Sequence, residues 1–306
     1  VIAQAPARRT LEIAAAGGHS LLFCGPPGSG KSLMAARLPG LLPAMTDAEA
    51  MESASLHSIA EGCFDPAHWA RRPFRSPHHS TSSRALTGGG VRPRPGEISL
   101  AHHGVLFLDE LPEFPREALE ALREPLETGE ISVSRINARL RFPARFQLIA
   151  AMNPCPCGYE GDSDHDCRCT PAKIRRYGNR ISGPLLDRID LQVRVPRLTA
   201  AQLDTCTEGE SSDAVARRVQ ITRERQLDRD GIPASHLPVS AMRRVGRLDA
   251  AGRQIMRQAT QRFGLSARGW HRCWRIARSI ADLDGAADIR EHHIAEALSY
   301  RERVQR

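Results

Sequence analysis

The chain has 306 residues, of which 41% are hydrophobic and 25% are charged. That balance excludes a disordered chain and a collagen-like chain, and no apolar run approaches the ~20 residues that a membrane-spanning helix requires. The net charge of +8 suits a polyanionic partner, although charged side chains also serve simply as solvated surface. Since no apolar segment typical of a signal peptide lies near the first residue, we predict a cytoplasmic protein without membrane contact. The length predicts about two core-bearing units, and because the chain begins at Val1 rather than Met we expect a fragment.

The first chemical motif lies between a short apolar strand, Leu21–Cys24, and a segment of helical character. It reads Gly25-Pro26-Pro27-Gly28-Ser29-Gly30-Lys31-Ser32 and fits the spacing G-x-x-x-x-G-K-[ST]. Glycines let backbone N–H groups wrap phosphates, and the following helix start adds its positive end. Lys31 is one of two lysines among 43 basic residues, and its compact ammonium suits a phosphate cradle. The motif predicts ATP binding, with Lys31 at the β and γ phosphates and Ser32 on Mg²⁺.

A second apolar strand, Val105–Leu108, is followed directly by two carboxylates, Asp109 and Glu110. A buried strand of this kind is expected to deliver Asp109 to the Mg²⁺ shell, and Glu110 is placed to orient and deprotonate the attacking water. The alternative is a core strand followed by an acidic helix cap. His102 and His103, just before the strand, are predicted to cap or pack rather than to bind metal.

A third apolar strand, residues 146–152, ends in Asn153. We predict that this amide holds the attacking water or touches the γ-phosphate. Taken alone, Asn followed by Pro is also a common entry into a loop.

These three motifs resemble the AAA+ ATPases of the magnesium-chelatase-like clade, and within it the ComM/YifB-type proteins, a competence-associated DNA branch-migration helicase family. Residues 72–79 and 11–19 are similar to that group as well, so the resemblance covers roughly 1–197 and 239–303. It implies an α/β P-loop core with a parallel sheet between helices and β-hairpin inserts, followed by an all-helical lid. We therefore predict a core domain over 1–197 and a lid over 198–306. Proteins of this type carry an upstream domain with a Lon-protease-like fold, which we expect to be missing from this fragment.

The resemblance implies two further residues that face ATP. Arg188 matches the family's arginine-finger segment, which would place it at the γ-phosphate of a neighbouring subunit; the alternative is a salt bridge within the chain to Asp187 or Asp190. Arg268 matches the family's sensor 2 at the start of a helix, although a basic helix start is also ordinary surface.

Two inserts are rich in arginine. Residues 129–143 alternate with period two around a short turn and predict a β-hairpin. The resemblance places such a hairpin in the pore of a ring, where its arginines would contact phosphates; a solvated rim or a subunit contact is the alternative. The insert over 71–96 is either a mobile basic loop that grips a strand or a loop that packs against its neighbour. The candidate nucleic-acid contacts are Arg135, Arg139, Arg141, Arg75 and Arg84.

Four of the eight cysteines form two tight pairs, Cys155-x-Cys157 and Cys167-x-Cys169, in a loop over residues 154–170. Two such pairs offer four thiolates to one tetrahedral Zn²⁺, and disulfides are disfavoured in the cytoplasm. Because C-x-C is tighter than the common C-x₂₋₄-C spacing, unliganded thiols and redox use stay open as alternatives. We predict structural Zn²⁺, with His165 as a substitute ligand.

After Pro196 the strand pattern stops and helical spacing takes over. The predicted helices are 213–230, 240–245, 250–263, 267–284 and 289–303. They describe a helical lid whose role would be to close over the nucleotide.

The leading hypothesis is an ATP-driven, hexameric ring motor that translocates on single-stranded or branched DNA. Its output would be helicase or branch-migration activity in homologous recombination or natural transformation. Recombination proteins are potential partners in either process. The ATPase part depends on the residues, and the DNA part mainly on the resemblance. The alternative is an ATPase subunit like that of magnesium chelatase, which remodels a protein partner. A zinc-braced ring without turnover is disfavoured by the complete set of nucleotide-site residues.

Overall fold

The computed structural model of the chain describes residues 4–90, 93–134, 139–162, 164–199, 202 and 209–301. The strands are β1 (Leu21–Cys24), β2 (Phe74–Arg75), β3 (Gly88–Gly89), β4 (Arg94–Pro95), β5 (Val105–Leu108), β6 (Glu130–Ser134), β7 (Arg139–Pro143), β8 (Gln147–Met152) and β9 (Leu191–Arg194). Five of them form a parallel sheet in the order β2-β5-β8-β1-β9, while β3–β4 and β6–β7 are antiparallel ribbons.

The helices that flank this sheet and make up the C-terminal region have the following bounds. They are α1 (Ala5–Gly17), α2 (Lys31–Ala35), α3 (Asp47–Glu61), α4 (Ser83–Thr87), α5 (Glu97–Leu100), α6 (Arg116–Ala121), α7 (Arg123–Thr128), α8 (Pro171–Gly178), α9 (Gly183–Leu186), α10 (Ser212–Asp230), α11 (Val239–Val245), α12 (Ala250–Phe263), α13 (Ala267–Leu283) and α14 (Glu291–Ser299). The predicted fold class, a parallel α/β core followed by a helical region, is confirmed. In the part of the chain that the structure describes, no helix has both the length and the apolar character to cross a bilayer.

The described residues fall into two compact units. One consists of segments 25–39 and 44–188, and the other of 1–24, 40–43 and 189–306. The first unit holds β2, β5 and β8, and the second holds β1, β9 and the C-terminal helices. The domain boundary at residue 197 stays a prediction.

The register of β5 and β8 explains why two predicted site residues meet. Val105 pairs with Gln147 and Leu108 with Ala150, so the two strands run in parallel and end near the same edge. All residues of both strands are buried, as expected for strands covered on both faces. The residues that follow them, Asp109 and Asn153, therefore leave the sheet at its carboxyl edge.

Three of the C-terminal helices begin at a residue whose side chain caps the helix. Ser211, Asp249 and Ser266 each accept a hydrogen bond from the backbone N–H three residues later, at the starts of α10, α12 and α13. Along α13, Ile276, Ala277 and Ile280 are fully buried, so this face of the helix packs into the core.

A cluster of three polar side chains in the second unit links α13 to the residues just before β1 and β9. His19 contacts Asp190 Oδ2 through Nδ1 at 3.3 Å and Ser279 Oγ through Nε2 at 2.8 Å. Ser279 and His19 are 0% and 1% exposed, so no substrate reaches this Ser–His–Asp array and its role is structural. Burial acts to raise the pKa of Asp190, but the hydrogen bond with His19 and the charges of Arg272 and Arg301 outweigh it and hold that pKa well below its usual range.

This depressed pKa predicts acid sensitivity. A carboxyl group with a lowered folded-state pKa contributes stability above its unfolded-state pKa of about 3.9, and that contribution is lost as pH falls toward the folded-state value. We expect Asp190→Asn to lower the thermal midpoint at neutral pH and to flatten its decline between about pH 5 and pH 3, as followed by circular dichroism. Asp213→Asn, at an exposed position, serves as the control. Parallel acid profiles for Asp190→Asn and the unaltered chain would contradict this assignment.

Candidate active site

The glycine-rich loop between β1 and α2 is open on the side where phosphates are expected. Gly28 and Gly30 adopt left-handed backbone conformations, with φ of 77° and 86°. A Cβ atom built at either position would meet nothing within 4 Å. Ser29 Oγ is buried and has no hydrogen-bond partner among the described residues. Space and an unsatisfied polar atom fit the predicted role as a phosphate cradle.

Lys31 lies at the centre of this loop and is only 8% exposed. Its ammonium donates hydrogen bonds to the backbone oxygens of Gly25 at 2.7 Å and Pro26 at 2.9 Å. It also contacts Asn153 Oδ1 at 3.3 Å. The structure thus brings together two predicted site residues that are 122 positions apart in the chain.

Ser32 and Asp109 form the second pair of predicted residues that meet. The Ser32 hydroxyl donates to Asp109 Oδ2 at 2.6 Å, and Asp109 Oδ1 accepts the backbone N–H of Glu110 at 2.9 Å. A hydroxyl and a carboxylate side by side are oxygen ligands of the kind that Mg²⁺ prefers. The residues present therefore fit a Mg²⁺ ion.

Glu110, which follows Asp109, has a left-handed backbone conformation with φ of 52° and ψ of 45°. Such a conformation is uncommon outside glycine and is found at functional sites, where the surrounding structure holds it in place. The carboxylate contacts His79 Nδ1 at 2.9 Å and is half exposed. His79 lies in the basic insert over 71–96, and no pattern in the sequence indicates its contact with Glu110.

Arg188 and Arg268, the two residues implied by the family resemblance, lie in different compact units. Arg188 is 7% exposed and pairs with Glu127 Oε1 at 2.5 Å, while its Nη1 donates to Pro184 O at 2.8 Å. The structure thus places Arg188 in an ion pair with Glu127. Arg268 is exposed in the first turn of α13. The roles of both residues toward ATP stay predictions.

The four paired cysteines converge as the sequence predicted. The Sγ atoms of Cys155, Cys157 and Cys167 are separated by 3.3, 3.6 and 3.7 Å, and all four ligand atoms, including that of Cys169, lie within 4.8 Å of one another. A tetrahedron with Zn–S bonds of ~2.3 Å has an edge of ~3.8 Å, close to these separations. The backbone N–H of Cys169 lies 3.5 Å from Cys167 Sγ, a contact that suits a thiolate. The geometry is compatible with a zinc ion.

The histidines near these groups are engaged elsewhere. His165 contacts Asp162 Oδ1 at 3.3 Å and stacks on Tyr159, outside the group of four sulfurs. His102 Nδ1 accepts the backbone N–H of Arg145 at 2.9 Å, which leaves the proton on Nε2 to donate to Glu52. Although Glu52, His102 and His103 lie close enough to share a metal, that tautomer gives His102 no free lone pair. Burial, its largest influence, lowers the pKa of His102 to about 4, as for a packed neutral imidazole.

The arginines proposed to contact nucleic acid differ in their surroundings. Arg75, in β2, makes a bidentate pair with Glu97 at 2.7 and 2.8 Å, whereas Arg84 is exposed on α4. The predicted hairpin is present as β6 and β7, and Arg141 on it is 66% exposed with Glu130 at 3.7 Å. Arg135 lies outside the described residues, and only the backbone of Arg139 is described.

Two family models match the chain. A family model described as magnesium chelatase, subunit ChlI, matches residues 1–203, and one described as magnesium chelatase, subunit ChlI C-terminal, matches residues 209–301. The chain is 50% identical over 306 residues to competence protein ComM of Haemophilus influenzae, covering 100% of the chain and 60% of that protein. It is 49% identical over 303 residues to protein YifB of Escherichia coli, covering 98% and 59%.

A more distant relative is the magnesium-chelatase 38 kDa subunit of Cereibacter sphaeroides, 27% identical over 212 residues and covering 63% of the chain and 57% of that subunit. The chain therefore spans about three fifths of the length of the curated relatives that it matches.

Proposed function

Because the chain belongs to the magnesium-chelatase-like family of AAA+ ATPases, in its ComM/YifB-type branch, we propose that it is the motor part of a hexameric ring that hydrolyses ATP to translocate on DNA. The output of this motor is helicase or branch-migration activity in homologous recombination or natural transformation. The observation that carries the ATPase part is the convergence of Lys31, Asn153, Ser32 and Asp109 around one open glycine loop. The family resemblance drawn from the motifs is confirmed.

Each residue of the predicted nucleotide site has a distinct role in ATP hydrolysis. Lys31 exchanges its contacts with loop carbonyls for the β and γ phosphates of ATP, and Ser32 and Asp109 hold Mg²⁺. When bound, Mg²⁺ supplies positive charge that offsets the charge on the phosphate oxygens. Glu110 accepts the proton of the attacking water, and Asn153 orients that water. Arg188 of one subunit serves the γ-phosphate bound by the next, which requires the guanidinium to leave Glu127, and Arg268 completes the site.

The DNA part of the proposal is supported by charge and by the relatives. One relative is named a competence protein, and the chain carries a net charge of +8. Arg84 and Arg141 are exposed on two separate inserts. Exposed guanidinium groups contribute sequence-independent affinity for phosphates, which suits a motor that moves along any sequence.

The test is steady-state ATPase activity with and without single-stranded and branched DNA. We expect DNA to stimulate turnover, and the joint replacement of Arg135, Arg139 and Arg141 by Ala to abolish that stimulation while basal turnover is kept. Joint replacement of Arg243, Arg244 and Arg247 by Ala removes the same charge outside the hairpin and serves as the control. Turnover by an assembled ring that is indifferent to DNA would overturn the DNA proposal.

A second candidate is an ATPase that remodels a protein partner, as the relationship to a magnesium-chelatase subunit suggests. The bidentate pairing of Arg75 with Glu97 favours it, because that guanidinium is already neutralised within the chain. Stimulation of turnover by a protein rather than by DNA would identify this function.

The proposal includes a structural Zn²⁺ at the four clustered cysteines and a cytoplasmic location. Four thiolates close the coordination shell, so this ion takes no substrate and stabilises the loop over 154–170. A reducing compartment keeps such thiols available as ligands.

A further inference from the structure

The four-cysteine loop lies directly against the phosphate-binding loop. Gly158 follows the first cysteine pair and has φ of 88°, and a Cβ atom there would lie 2.6 Å from Cδ and 2.9 Å from Cγ of Pro27. Those distances are too short for any side chain, so the backbone of Gly158 is in contact with the Pro27 ring. Pro27 stands immediately before Gly28, one of the two left-handed glycines of the cradle.

Gly158 is held in place by the turn that the cysteines form. Its N–H donates to the backbone oxygen of Cys155 at 3.0 Å, which closes a tight turn around Cys157. Cys155 is fully buried, and its sulfur contacts those of Cys157 and Cys167. A group that holds these sulfur atoms together would therefore also hold the backbone of Gly158 against Pro27.

The segment leading into the cysteines makes two more contacts with the same loop. The backbone N–H of Gly25 donates to Met152 O at 3.2 Å, and Lys31 Nζ contacts Asn153 Oδ1 at 3.3 Å. Residues 152–158 thus contact the phosphate-binding loop at its beginning, Gly25, in its middle, Pro27, and at its end, Lys31. All of these residues belong to one compact unit.

We propose that the metal-binding cysteine loop is a brace for the phosphate-binding loop, so that metal occupancy at the four cysteines sets the affinity for ATP through the contact of Gly158 with Pro27. This inference rests on the proposed ATP and zinc sites, and adds that the two are coupled. With zinc bound, the turn presses against Pro27 and holds the cradle in its binding shape. Without zinc, the two cysteine pairs separate and the cradle loses that support.

Two measurements on the whole chain test the coupling: zinc content by mass spectrometry and the dissociation constant of a fluorescent ATP analogue with Mg²⁺ present. We expect Gly158→Ala to retain zinc but to raise the dissociation constant about tenfold or more, the size expected from overpacking a close contact. Removing zinc from the unaltered chain with a chelator that spares Mg²⁺ is expected to weaken binding similarly, and adding zinc back to restore it. Gly62→Ala is the matched control, since Gly62 has φ of 85° with nothing within 4 Å of its Cβ position.

The outcomes separate the coupling from the sites beneath it. Unchanged ATP affinity in zinc-loaded Gly158→Ala, or in the unaltered chain after zinc removal, overturns the brace and leaves the ATPase assignment standing. If the purified protein neither contains nor takes up zinc, the zinc site and the brace are both overturned, and the ATP site stands. Failure of the unaltered, zinc-loaded chain to bind the analogue overturns the ATP site and the brace with it.

Discussion

Replacing Glu110 by Gln is expected to lower kcat for ATP hydrolysis by about 10²–10⁴-fold, the range typical of a lost general base. The amide keeps the size of the side chain but cannot accept the proton of the attacking water. Ser32, Asp109 and Lys31 are unaltered in this variant, so the dissociation constant for ATP should stay close to that of the unaltered chain. Single-turnover kinetics and equilibrium binding measure the two quantities separately.

The control for this variant is Glu113→Gln, in the turn that follows the same strand. Glu113 is exposed and pairs with Arg180, so its replacement should leave kcat unchanged. A Glu110→Gln protein that hydrolyses ATP at the rate of the unaltered chain would refute the assignment of this carboxylate. Loss of ATP binding in the same variant would instead show that the charge of Glu110 supports the nucleotide itself.

The sequence was sufficient where local pattern decides structure. The apolar runs at Leu21–Cys24 and Val105–Leu108 are strands with those bounds, and the helix Ala250–Phe263 also begins and ends as predicted. The apolar composition of the two strands and the cap residue of the helix are both visible in the sequence. The meeting of Lys31 with Asn153 and of Ser32 with Asp109 was predictable for the same reason, because each residue follows a recognisable strand or loop.

Other contacts between distant segments were not predictable in this way. The pairing of His79 with Glu110, and of Arg188 with Glu127, depends on how loops are placed after the sheet has formed. Many arginines in this sequence could neutralise many carboxylates, so composition alone does not select the pair. The approach of Gly158 to Pro27 has no sequence signal beyond a glycine next to a cysteine.

The largest loss of stability is expected from Asp282→Ala, in the last turn of α13. Asp282 is fully buried and pairs with the equally buried Arg278 at 2.9 Å, and it accepts two hydrogen bonds from Arg229 at 2.6 and 3.0 Å. Removing the carboxylate leaves the Arg278 guanidinium inside the helical region, where its remaining hydrogen-bond partners among the described residues are the backbone oxygens of Val245, Ala286 and Ala287. Breaking a buried pair in this way costs about 3–5 kcal/mol of unfolding free energy, because a charge stays buried without its counterion.

Urea denaturation followed by tryptophan fluorescence measures this loss, since Trp270 and Trp274 both lie on α13 and report on the helical region. Asp228→Ala, at an exposed position on α10, is the control and should change the unfolding free energy by no more than about 0.5 kcal/mol. Burial already lowers the pKa of Arg278, against the opposing effect of Asp282, so the charged guanidinium depends on this carboxylate. A loss below about 1 kcal/mol would mean that Arg278 finds water or another acceptor once Asp282 is gone, and that the helical region is less tightly closed around this pair than its burial indicates.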